Sequence, residues 1–303
     1  MTQLPPLLRD RIQFELNRLG DSGEVRAVRS LGGGCINNAA RLEANEHAYF
    51  LKWNPRPLPG MFPSEATGLH LLRATGTVSI PEPYAAGDPA GQTPGFILME
   101  WIETPAGHRI DMAVLGEQLA ELHQKGVSPQ HPAAYGLAAD NFIGSTPQHN
   151  GWETDWIVFF RQKRLVPQIE LAARNGLLAD RRARRLEKLL EQLDRLLDGV
   201  DRRPCLLHGD LWGGNVMAGS AGQPVLIDPA VYFGDREADI AFTELFGGFS
   251  RRFYQAYEAA YPLEPGYADR RDLYNLYHLL NHLNLFGEAY GDQVDAVLRH
   301  TVG

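Results

Sequence analysis

LHGDLWGGN, at residues 207–215, and PVLID, at residues 224–228, are the stretches of sequence that decide the fold. Asp210 in the first stretch precedes Asn215 by five positions, and Asp228 closes the second, apolar stretch thirteen positions later. Transfer of a phosphoryl group needs a carboxylate that accepts the proton of the attacking hydroxyl. It also needs a second carboxylate and an amide oxygen that hold Mg²⁺ on the nucleotide phosphates. The three residues have the chemistry that these roles require.

Their order also matches protein kinases, in which a catalytic-loop Asp, a catalytic-loop Asn and a metal-binding Asp follow one another. The alternative is a capped turn followed by an Asp at a strand end, because Asp and Asn favour turns for local hydrogen-bonding reasons. Each residue taken singly fits that alternative. The three together favour a kinase-type site.

Lys52 lies inside the apolar segment YFLKW, where an unpaired charge would be costly. Glu65, on the next predicted helix, is a candidate partner. A Lys–Glu pair positions the nucleotide phosphates in kinases. The alternative is a strand lysine that extends its ammonium group to solvent and a surface glutamate. The Asp210 motif downstream favours the kinase pair.

Two further segments stand where a kinase would use them. Gly32, Gly33 and Gly34 join the first two predicted strands, and glycines let a backbone approach phosphates closely and donate its amides to them. A plain hairpin turn explains these glycines equally well, but their place ahead of the lysine strand is that of a kinase phosphate loop. The segment from Glu100 through Trp101 to Ile102 falls between the predicted lobes, where backbone groups could bind adenine.

Composition limits the classes of protein to which the chain can belong. The 303 residues are 44% hydrophobic and 22% charged, which is the balance of a folded protein of one or two domains and excludes a disordered or fibrous chain. The net charge of -8 argues against nucleic acid or an anionic membrane as the main partner. Two cysteines exclude a disulfide-built scaffold, and neither a signal peptide nor a membrane span is recognisable. We expect a cytoplasmic protein.

The pattern along the chain predicts an α+β fold. An opening helix is followed by three antiparallel strands between Val25 and Trp53, a helix over 65–73, a loop over 79–94 and a strand over 96–102. Beyond Ile102 the chain is mostly helical. We therefore predict a small β-rich N-lobe, residues 1–102, and a larger α-helical C-lobe, residues 103–303. The predicted helices of the second lobe are Met112–Gln124, Trp152–Asn175, Asp180–Leu197, Arg251–Tyr261 and Arg271–Phe286.

Several segments together resemble the fructosamine kinase (ketosamine 3-kinase) family, over about residues 30–291. They are LHGDLWGGN, VLIDPAVYFGDREADIAFTELFGGF, LYNLYHLLNHLNLFGEAYG, GGGCINN and SEATGLHLL. The resemblance implies a protein-kinase-like two-lobed fold and ATP-dependent phosphorylation of the 3-hydroxyl of ketoamine sugars. In that family the product then sheds its sugar, which deglycates amines and protein lysines. Free ketoamines and glycated proteins are thus the expected acceptors.

The resemblance also implies roles for single residues. Asp210 would be the base, and Asn215 and Asp228 would be the Mg²⁺ ligands. Lys52 with Glu65 would hold the ATP phosphates. The remaining implied binding groups are the glycine loop, at positions 32–34, and the adenine hinge, at positions 100–102.

The remaining assignments concern single residues outside the main motifs. Trp212 is a candidate for packing against the sugar ring, with a core tryptophan as the equal alternative. His282 lies on a late helix that could face the acceptor, although a helix–helix polar contact explains it better. Asp239, in a segment predicted to be a loop, is expected to brace the catalytic loop, and Arg236 and Glu237 are expected to serve an ion-pair network or the substrate rim. Cys35 lies among glycines whose amide dipoles could stabilise a thiolate, so we expect either a redox-linked dimer or an incidental small residue.

Two other functions share the HGD-x4-N motif. One is a small-molecule kinase of the aminoglycoside or choline type, which different acceptors would distinguish. The other is a nucleotide-binding pseudokinase, against which the retention of a complete set of catalytic residues argues.

Overall fold

The computed structural model describes residues 3–32, 37–45, 47–104, 107 and 109–303. Within these ranges the strands are β1 (Val25–Leu31), β2 (Asn38–Ala44), β3 (His47–Asn54), β4 (Pro83–Gly87), β5 (Gly95–Glu100), β6 (Asn141–Ile143), β7 (Thr146–Gln148), β8 (Cys205–Leu207), β9 (Val216–Ala218), β10 (Pro224–Leu226) and β11 (Tyr232–Gly234). The α-helices are α1 (Pro6–Arg18), α2 (Met61–Ala74), α3 (Met112–Lys125), α4 (Trp156–Phe159), α5 (Val166–Arg174), α6 (Asp180–Leu197), α7 (Glu237–Leu245), α8 (Arg251–Ala260), α9 (Tyr267–Phe286) and α10 (Gly291–Val302). None of the described helices combines the length and apolar character that crossing a bilayer requires.

Two compact units make up the chain, Met1–Asp111 with Val216–Pro229 and Met112–Asn215 with Ala230–Gly303. The sequence predicted one boundary, after residue 102. It did not foresee that residues 216–229 would contribute to the first unit. They do so because the amide of Leu226 donates to the carbonyl of Ser79 inside that unit.

The first unit is built on a five-stranded antiparallel sheet with the strand order β1-β2-β3-β5-β4. The three strands predicted between Val25 and Trp53 are confirmed. The loop predicted over residues 79–94 is wrong in part, because that segment contains β4. β4 begins with Pro83 at the sheet edge, where a residue without an N–H is tolerated. Its sequence, PYAAG, carries few of the residues that mark strands.

Two helices belong to the first unit. α1 buries Leu8, Ile12 and Leu16 at helical spacing, and these side chains join the apolar cluster that includes residues of the sheet. α2 begins at Met61, one turn ahead of the predicted start, with Pro63 in its first turn. Proline is harmless there because the first N–H groups of a helix have no intrahelical acceptor.

The second unit is mainly helical and differs from the prediction at three places. The helix predicted from Trp152 to Asn175 is divided, since a π-helical segment, Phe160–Leu165, separates α4 from α5. The segment around Asp239 is not a loop but the start of α7. Of the two roles expected for Glu237, an ion pair is present, because Glu237 binds Arg270 at 2.6 Å. α10 was not predicted.

Candidate active site

Lys52 projects from β3, an inner strand of the sheet, where it pairs in register with Ile97 of β5. Its ammonium nitrogen Nζ lies 2.7 Å from Oε1 of Glu65 on α2 and 2.7 Å from Oδ1 of Asp228, which follows β10. The predicted contact between Lys52 and Glu65 is therefore present. The contact with Asp228 was not foreseen, and it joins two predicted phosphate- or metal-binding groups within the first unit.

The two carboxylates keep the buried lysine charged. Burial lowers the pKa of Lys52, but the neighbouring Asp228 and Glu65 outweigh it, and the pKa is raised overall. Burial raises the pKa of Glu65, while the ammonium group of Lys52 acts in the opposite direction. The result is one fixed cation shared by two carboxylates.

Asp228 has an unusual backbone. Its φ is +53°, in the left-handed region that non-glycine residues rarely adopt. Such strain is common at functional sites, where the surrounding structure holds it in place. The side chain of Asp228 is 46% exposed, so a carboxylate oxygen remains open to solvent even though Lys52 binds the group.

Asp210 lies in the second unit, on the loop after β8, and Asn215 holds it from within the same loop. The amide nitrogen Nδ2 of Asn215 donates to the backbone carbonyl of Asp210 at 2.7 Å and to Oδ2 of its carboxylate at 3.0 Å. The backbone N–H of Asp210 donates to Nδ1 of His208 at 3.3 Å. The structure therefore brings the predicted base and one predicted metal ligand together, and it orients the base through a buried amide.

Asp239 braces this loop, as the sequence predicted. Its two carboxylate oxygens accept the backbone N–H groups of His208 at 2.7 Å and Gly209 at 2.9 Å. Nε2 of the buried His123 lies 3.3 Å from the same carboxylate. Burial alone would raise the pKa of Asp239, but the hydrogen bond and charge of His123, with further contributions from His208 and Gly209, lower it. A buried carboxylate thus fixes the backbone ahead of Asp210.

The glycine before Asp210 is required by geometry. Gly209 has φ +79°, and a Cβ atom built there would lie 2.1 Å from the carbonyl oxygen of Ala230. The amide of Ala230 in turn donates to the carbonyl of His208. The catalytic loop is therefore pressed against the segment that follows Asp228 in the chain, and only glycine fits.

Trp212 and His282 belong to one cluster of partly exposed rings in the second unit. The Trp212 ring centroid lies 6.2 Å from Phe246, and Phe246 lies 4.9 Å from His282. Phe286 and Tyr290 continue the cluster at 5.7 and 4.9 Å from His282. We call these five side chains the aromatic cluster. Trp212 is 39% exposed, so the core-tryptophan alternative is wrong.

His282 is not a helix–helix polar contact. Its Nδ1 lies 2.8 Å from the carbonyl of His278 on its own helix, and burial lowers its pKa, which keeps the ring neutral. Its neighbour Asn281 does make such a contact, because Oδ1 of Asn281 accepts from Gln168 at 3.4 Å.

The sequence analysis did not identify a buried arginine whose hydrogen-bond network leads to the carbonyl of Ala230, next to Gly209. Arg164, on the π-helical segment, is fully buried, with Cζ 3.9 Å from the ring centroid of Tyr232. Its three hydrogen-bond acceptors are all neutral oxygens, among them the side chain of Asn150. Asn150 continues through Asn141 and Gln148 to the carbonyl of Ala230, the same carbonyl that faces Gly209. Helical periodicity gives no sign of this network, which depends on contacts distant in sequence.

The remaining predicted nucleotide-binding residues are placed as follows. Gly32 directly follows β1, and a Cβ built there would have nothing within 4 Å, while Gly33, Gly34 and Cys35 lie outside the described residues. Glu100 ends β5, and its carboxylate accepts the backbone N–H of Glu82 at 3.1 Å.

The next two residues complete the predicted hinge. The Trp101 ring lies beneath the guanidinium of Arg41 at 5.1 Å. Ile102 helps to line a shallow cavity with Arg73, Ser79 and Val225. A role in binding adenine remains a prediction for this segment.

The oxygen donors fit Mg²⁺. It prefers hard oxygen ligands and usually takes one or two from the protein, with phosphates and water completing its octahedron. The carboxylate of Asp228 and the amide oxygen of Asn215 are such donors. Among the described residues no group of three His, Cys, Asp or Glu side chains could hold a metal by itself.

Comparison with known proteins places the chain in a family. The model of the family described as fructosamine kinase matches residues 9–302. A probable ketoamine kinase of Synechocystis is 42% identical over 92% of each chain. The chloroplastic protein-ribulosamine 3-kinase of Oryza sativa subsp. japonica is 41% identical over 92% of this chain and 80% of its own length.

Solved structures agree on the fold. A candidate fructosamine-3-kinase from Haemophilus somnus 129PT has a TM-score of 0.86 at 29% identity, with 96% of each chain covered. The aminoglycoside phosphotransferase APH(4)-Ia has a TM-score of 0.63 at 16% identity over 96% of this chain and 99% of its own, a likeness that shows the fold alone. The predicted fold class, α+β with a protein-kinase-like two-lobed architecture, is confirmed.

Proposed function

The chain belongs to the fructosamine kinase family, and on this premise we propose that it transfers the γ-phosphoryl group of ATP to the 3-hydroxyl of a ketoamine sugar. The observation that carries the proposal is the nearly full-length family match in a chain that keeps the groups needed for this chemistry. Asp210 stands on a loop fixed by Asp239, and Lys52 is a charged, buried cation. The relatives named ketoamine kinase and protein-ribulosamine 3-kinase support a ketoamine as the acceptor.

In this proposal Asp210 is the base. The acceptor hydroxyl oxygen forms a bond to the γ-phosphorus while the bond from that phosphorus to the bridging oxygen of ADP breaks. ADP leaves with the electron pair of that bond, and Asp210 takes the hydroxyl proton. The hydrogen bond from Asn215 Nδ2 to the Asp210 carboxylate fixes the orientation of that carboxylate. Because phosphoryl transfer depends mainly on positioning and electrostatics, a rigid loop at this point is what the reaction needs.

The nucleotide groups are proposed on the same basis. Lys52, held between Glu65 and Asp228, would contact the phosphates, and Asn215 and Asp228 would be the protein ligands of Mg²⁺. When bound, Mg²⁺ neutralises charge on the transferred phosphoryl group. We further propose that the glycines at 32–34 cover the phosphates and that the segment 100–102 binds adenine.

The deciding experiment measures magnesium-dependent ADP release from ATP with fructose-lysine, with ribulose-lysine and without acceptor. The Asp210→Asn variant serves as the matched control. Release that requires a ketoamine and is lost in the variant is the expected result, and it also ranks the two sugars. If a protein that binds ATP releases ADP only with an aminoglycoside or choline, the ketoamine proposal is overturned while the kinase chemistry stands. Failure to bind ATP at all would overturn both.

Two finer assignments accompany the proposal. We expect the enzyme to act in the cytoplasm, since two cysteines and an acidic composition suit a reducing, soluble compartment. A redox-linked dimer through Cys35 stays a prediction. Non-reducing gels and activity after peroxide test it, and full activity with no shifted band would contradict it.

A further inference from the structure

Arg164 is a buried cation that the ion pairs of the protein do not explain. The described residues include four buried arginines, and two of them, Arg182 and Arg270, bind carboxylates. Arg164 is the most deeply buried of the four, yet its hydrogen bonds go to neutral oxygens only. A buried charge without a counterion is less stable than a well-packed apolar side chain of similar size. Stability alone therefore does not account for an arginine at this position.

Three aromatic rings hold this guanidinium in place. Its Cζ lies 3.9 Å from the ring centroid of Tyr232, 4.6 Å from that of Phe159 and 5.6 Å from that of Tyr277. Ring faces attract a cation and offset part of the cost of its burial. Because closely packed rings also confine the guanidinium, the direction in which its N–H groups point is fixed.

Arg164 sets the direction of a chain of three side-chain amides. Its Nη2 donates to Oδ1 of Asn150 at 3.0 Å, and Nδ2 of Asn150 donates to Oδ1 of Asn141 at 2.9 Å. Nε2 of Gln148 donates to the same oxygen at 2.8 Å and to the carbonyl of Ala230 at 3.0 Å. The two ends of an amide are nearly equal in shape, so packing alone does not decide which end carries the NH₂ group. A guanidinium has donors only, and it therefore requires the oxygen of Asn150 to face it.

The far end of this chain requires the same direction. Backbone carbonyls can only accept, and the carbonyl of Ala230 needs the NH₂ end of Gln148. The carbonyl of Val231 likewise accepts from Nδ2 of Asn141 at 2.8 Å. The hydroxyl of Tyr277 donates to the remaining oxygen of Gln148 at 2.8 Å. One orientation of the three amides thus serves both ends, and a buried network of this kind favours a single conformation.

The carbonyl of Ala230 lies where the catalytic loop is pressed against the rest of the second unit. The N–H of Ala230 donates to the carbonyl of His208 at 2.9 Å, and Nδ1 of His208 accepts the N–H of Asp210 at 3.3 Å. The carbonyl oxygen of Ala230 also occupies the space that a Cβ on Gly209 would need. A shift of Ala230 therefore reaches the backbone of Asp210 through two hydrogen bonds.

We infer that Arg164 is a positioning residue of the transfer reaction, an inference that rests on the proposed function. It acts through the three amides and Ala230, which hold the catalytic loop in the arrangement that places Asp210. Its contribution is to the rate of the chemical step, because phosphoryl transfer depends on where the reacting groups are held. The affinity for ATP is largely independent of it, since Lys52 and Glu65 lie outside the network.

The experiment compares Arg164→Gln with Arg164→Lys. Both remove the planar guanidinium, but lysine, like arginine, can only donate, whereas glutamine can turn either end of its amide toward Asn150. Single-turnover phosphorylation of fructose-lysine and ribulose-lysine gives the rate constant, and calorimetric titration gives the affinity for ATP. We expect Arg164→Gln to lower the rate constant about 10- to 100-fold, the effect of misplacing a reacting group by up to about 1 Å, with ATP affinity close to the wild-type value. Arg164→Lys should be at least about twofold faster than Arg164→Gln, the effect of one restored hydrogen bond.

Arg182→Gln is the matched control. Arg182 is a second buried arginine, but it binds Glu288 and Asp295 and takes no part in the amide chain. Its replacement should lower the melting temperature and leave the rate constant unchanged well below the melting transition. Hydrogen exchange of the peptides that contain Asp210 and Ala230 adds a measurement that does not depend on turnover. Exchange there should be faster in Arg164→Gln and unchanged in Arg182→Gln.

A wild-type rate constant in Arg164→Gln, or equal rate constants in Arg164→Gln and Arg164→Lys, overturns the inference while ketoamine phosphorylation stands. If the arginine variants do not fold, Asn150→Asp takes their place, because it keeps Arg164 and lacks the NH₂ group that Asn141 accepts. A wild-type rate constant in Asn150→Asp overturns the inference as well. If the wild type phosphorylates neither ketoamine, the proposed function fails separately, and hydrogen exchange then decides whether Arg164 holds the loop. Equal exchange in Arg164→Gln and Arg182→Gln would show that it does not.

Discussion

Nζ of Lys52 and Oδ1 of Asp228 lie 2.7 Å apart, although 176 positions separate the two residues in the chain. The contact joins β3, in the sheet of the first unit, to the residues that follow β10. The same ammonium group binds Glu65, so both of these carboxylates depend on one cation. Removing that cation leaves the carboxylates of Glu65 and Asp228 close together with no positive charge between them. Lys52 therefore stabilises the placement of both carboxylates.

Replacing Lys52 with Met should therefore lower kcat/KM for ATP by about 10- to 100-fold, the scale of a lost hydrogen bond to charged groups. The variant should also melt at a lower temperature than the wild type, because the carboxylates of Glu65 and Asp228 then repel each other. ADP release at varied ATP and thermal unfolding measure the two effects. Lys125→Met is the control, since Lys125 is exposed and pairs with Glu121 at the surface. Equal kcat/KM values in Lys52→Met and the control would remove Lys52 from phosphate binding.

Replacing Asp210 with Asn should lower kcat by about 10²–10⁴, the usual scale for removing a general base. The fold and ATP affinity should be kept, because the side chain keeps its size and Asn215 can still bind the backbone carbonyl of residue 210. Single-turnover kinetics and calorimetric titration with ATP separate the two quantities. Asp201→Asn, at a carboxylate that is 78% exposed, should behave as the wild type. Turnover near the wild-type value in Asp210→Asn would show that another group takes the proton.

The sequence was informative where a local rule sets the structure. The strands up to Trp53 are found because short β-rich runs are separated by turn residues. The partner of Lys52 was predictable in part, since a lysine in an apolar strand needs a carboxylate and Glu65 lies on the next helix. Even there the second partner, Asp228, was out of reach, because pairing over such a separation depends on the tertiary fold.

The secondary structure predicted at the start of α7 was wrong, since a loop was expected and a helix is present. The expected contacts are found there, an ion pair of Glu237 with Arg270 and the binding of two backbone amides by Asp239. Nothing in the sequence indicated that both carboxylates are buried. The same limit applies to Arg164, which is buried against the ring of Tyr232. Composition rules place charged side chains at the surface. They fail near a catalytic loop, where buried charged groups hold the backbone in place.

Replacing Asp239 with Asn should destabilise the protein by about 1–3 kcal/mol at pH 7, the cost of a buried donor left without its acceptor. An Asn oxygen can accept one of the N–H groups of His208 and Gly209, but its NH₂ group opposes the other. The pKa of Asp239 is lowered in the folded protein, so its contribution to the free energy of unfolding is present above about pH 4, the unfolded value, and is lost as the pH falls through the folded value.

Urea unfolding at pH 7 and at a series of lower pH values tests both parts of this prediction. The free energy of unfolding of the wild type should fall more steeply on acidification than that of Asp239→Asn, which lacks this titration. Asp201→Asn should follow the wild-type curve. Parallel curves for Asp239→Asn and the wild type would show that another carboxylate accounts for the acid sensitivity.

Replacing Gly209 with Ala should abolish most activity, because the new Cβ would lie 2.1 Å from the carbonyl oxygen of Ala230 at a backbone φ of +79°. One of the two segments must move, and either movement displaces Asp210 or the chain next to Asp228. Gly213→Ala is the matched control on the same loop, since a Cβ there has nothing within 4 Å. We expect kcat to fall by at least about 10²-fold in Gly209→Ala, the effect of misplacing a reacting group by about 1 Å. Gly213→Ala should remain close to the wild type, and equal activity of the two variants would mean that the loop does not need the close approach to Ala230.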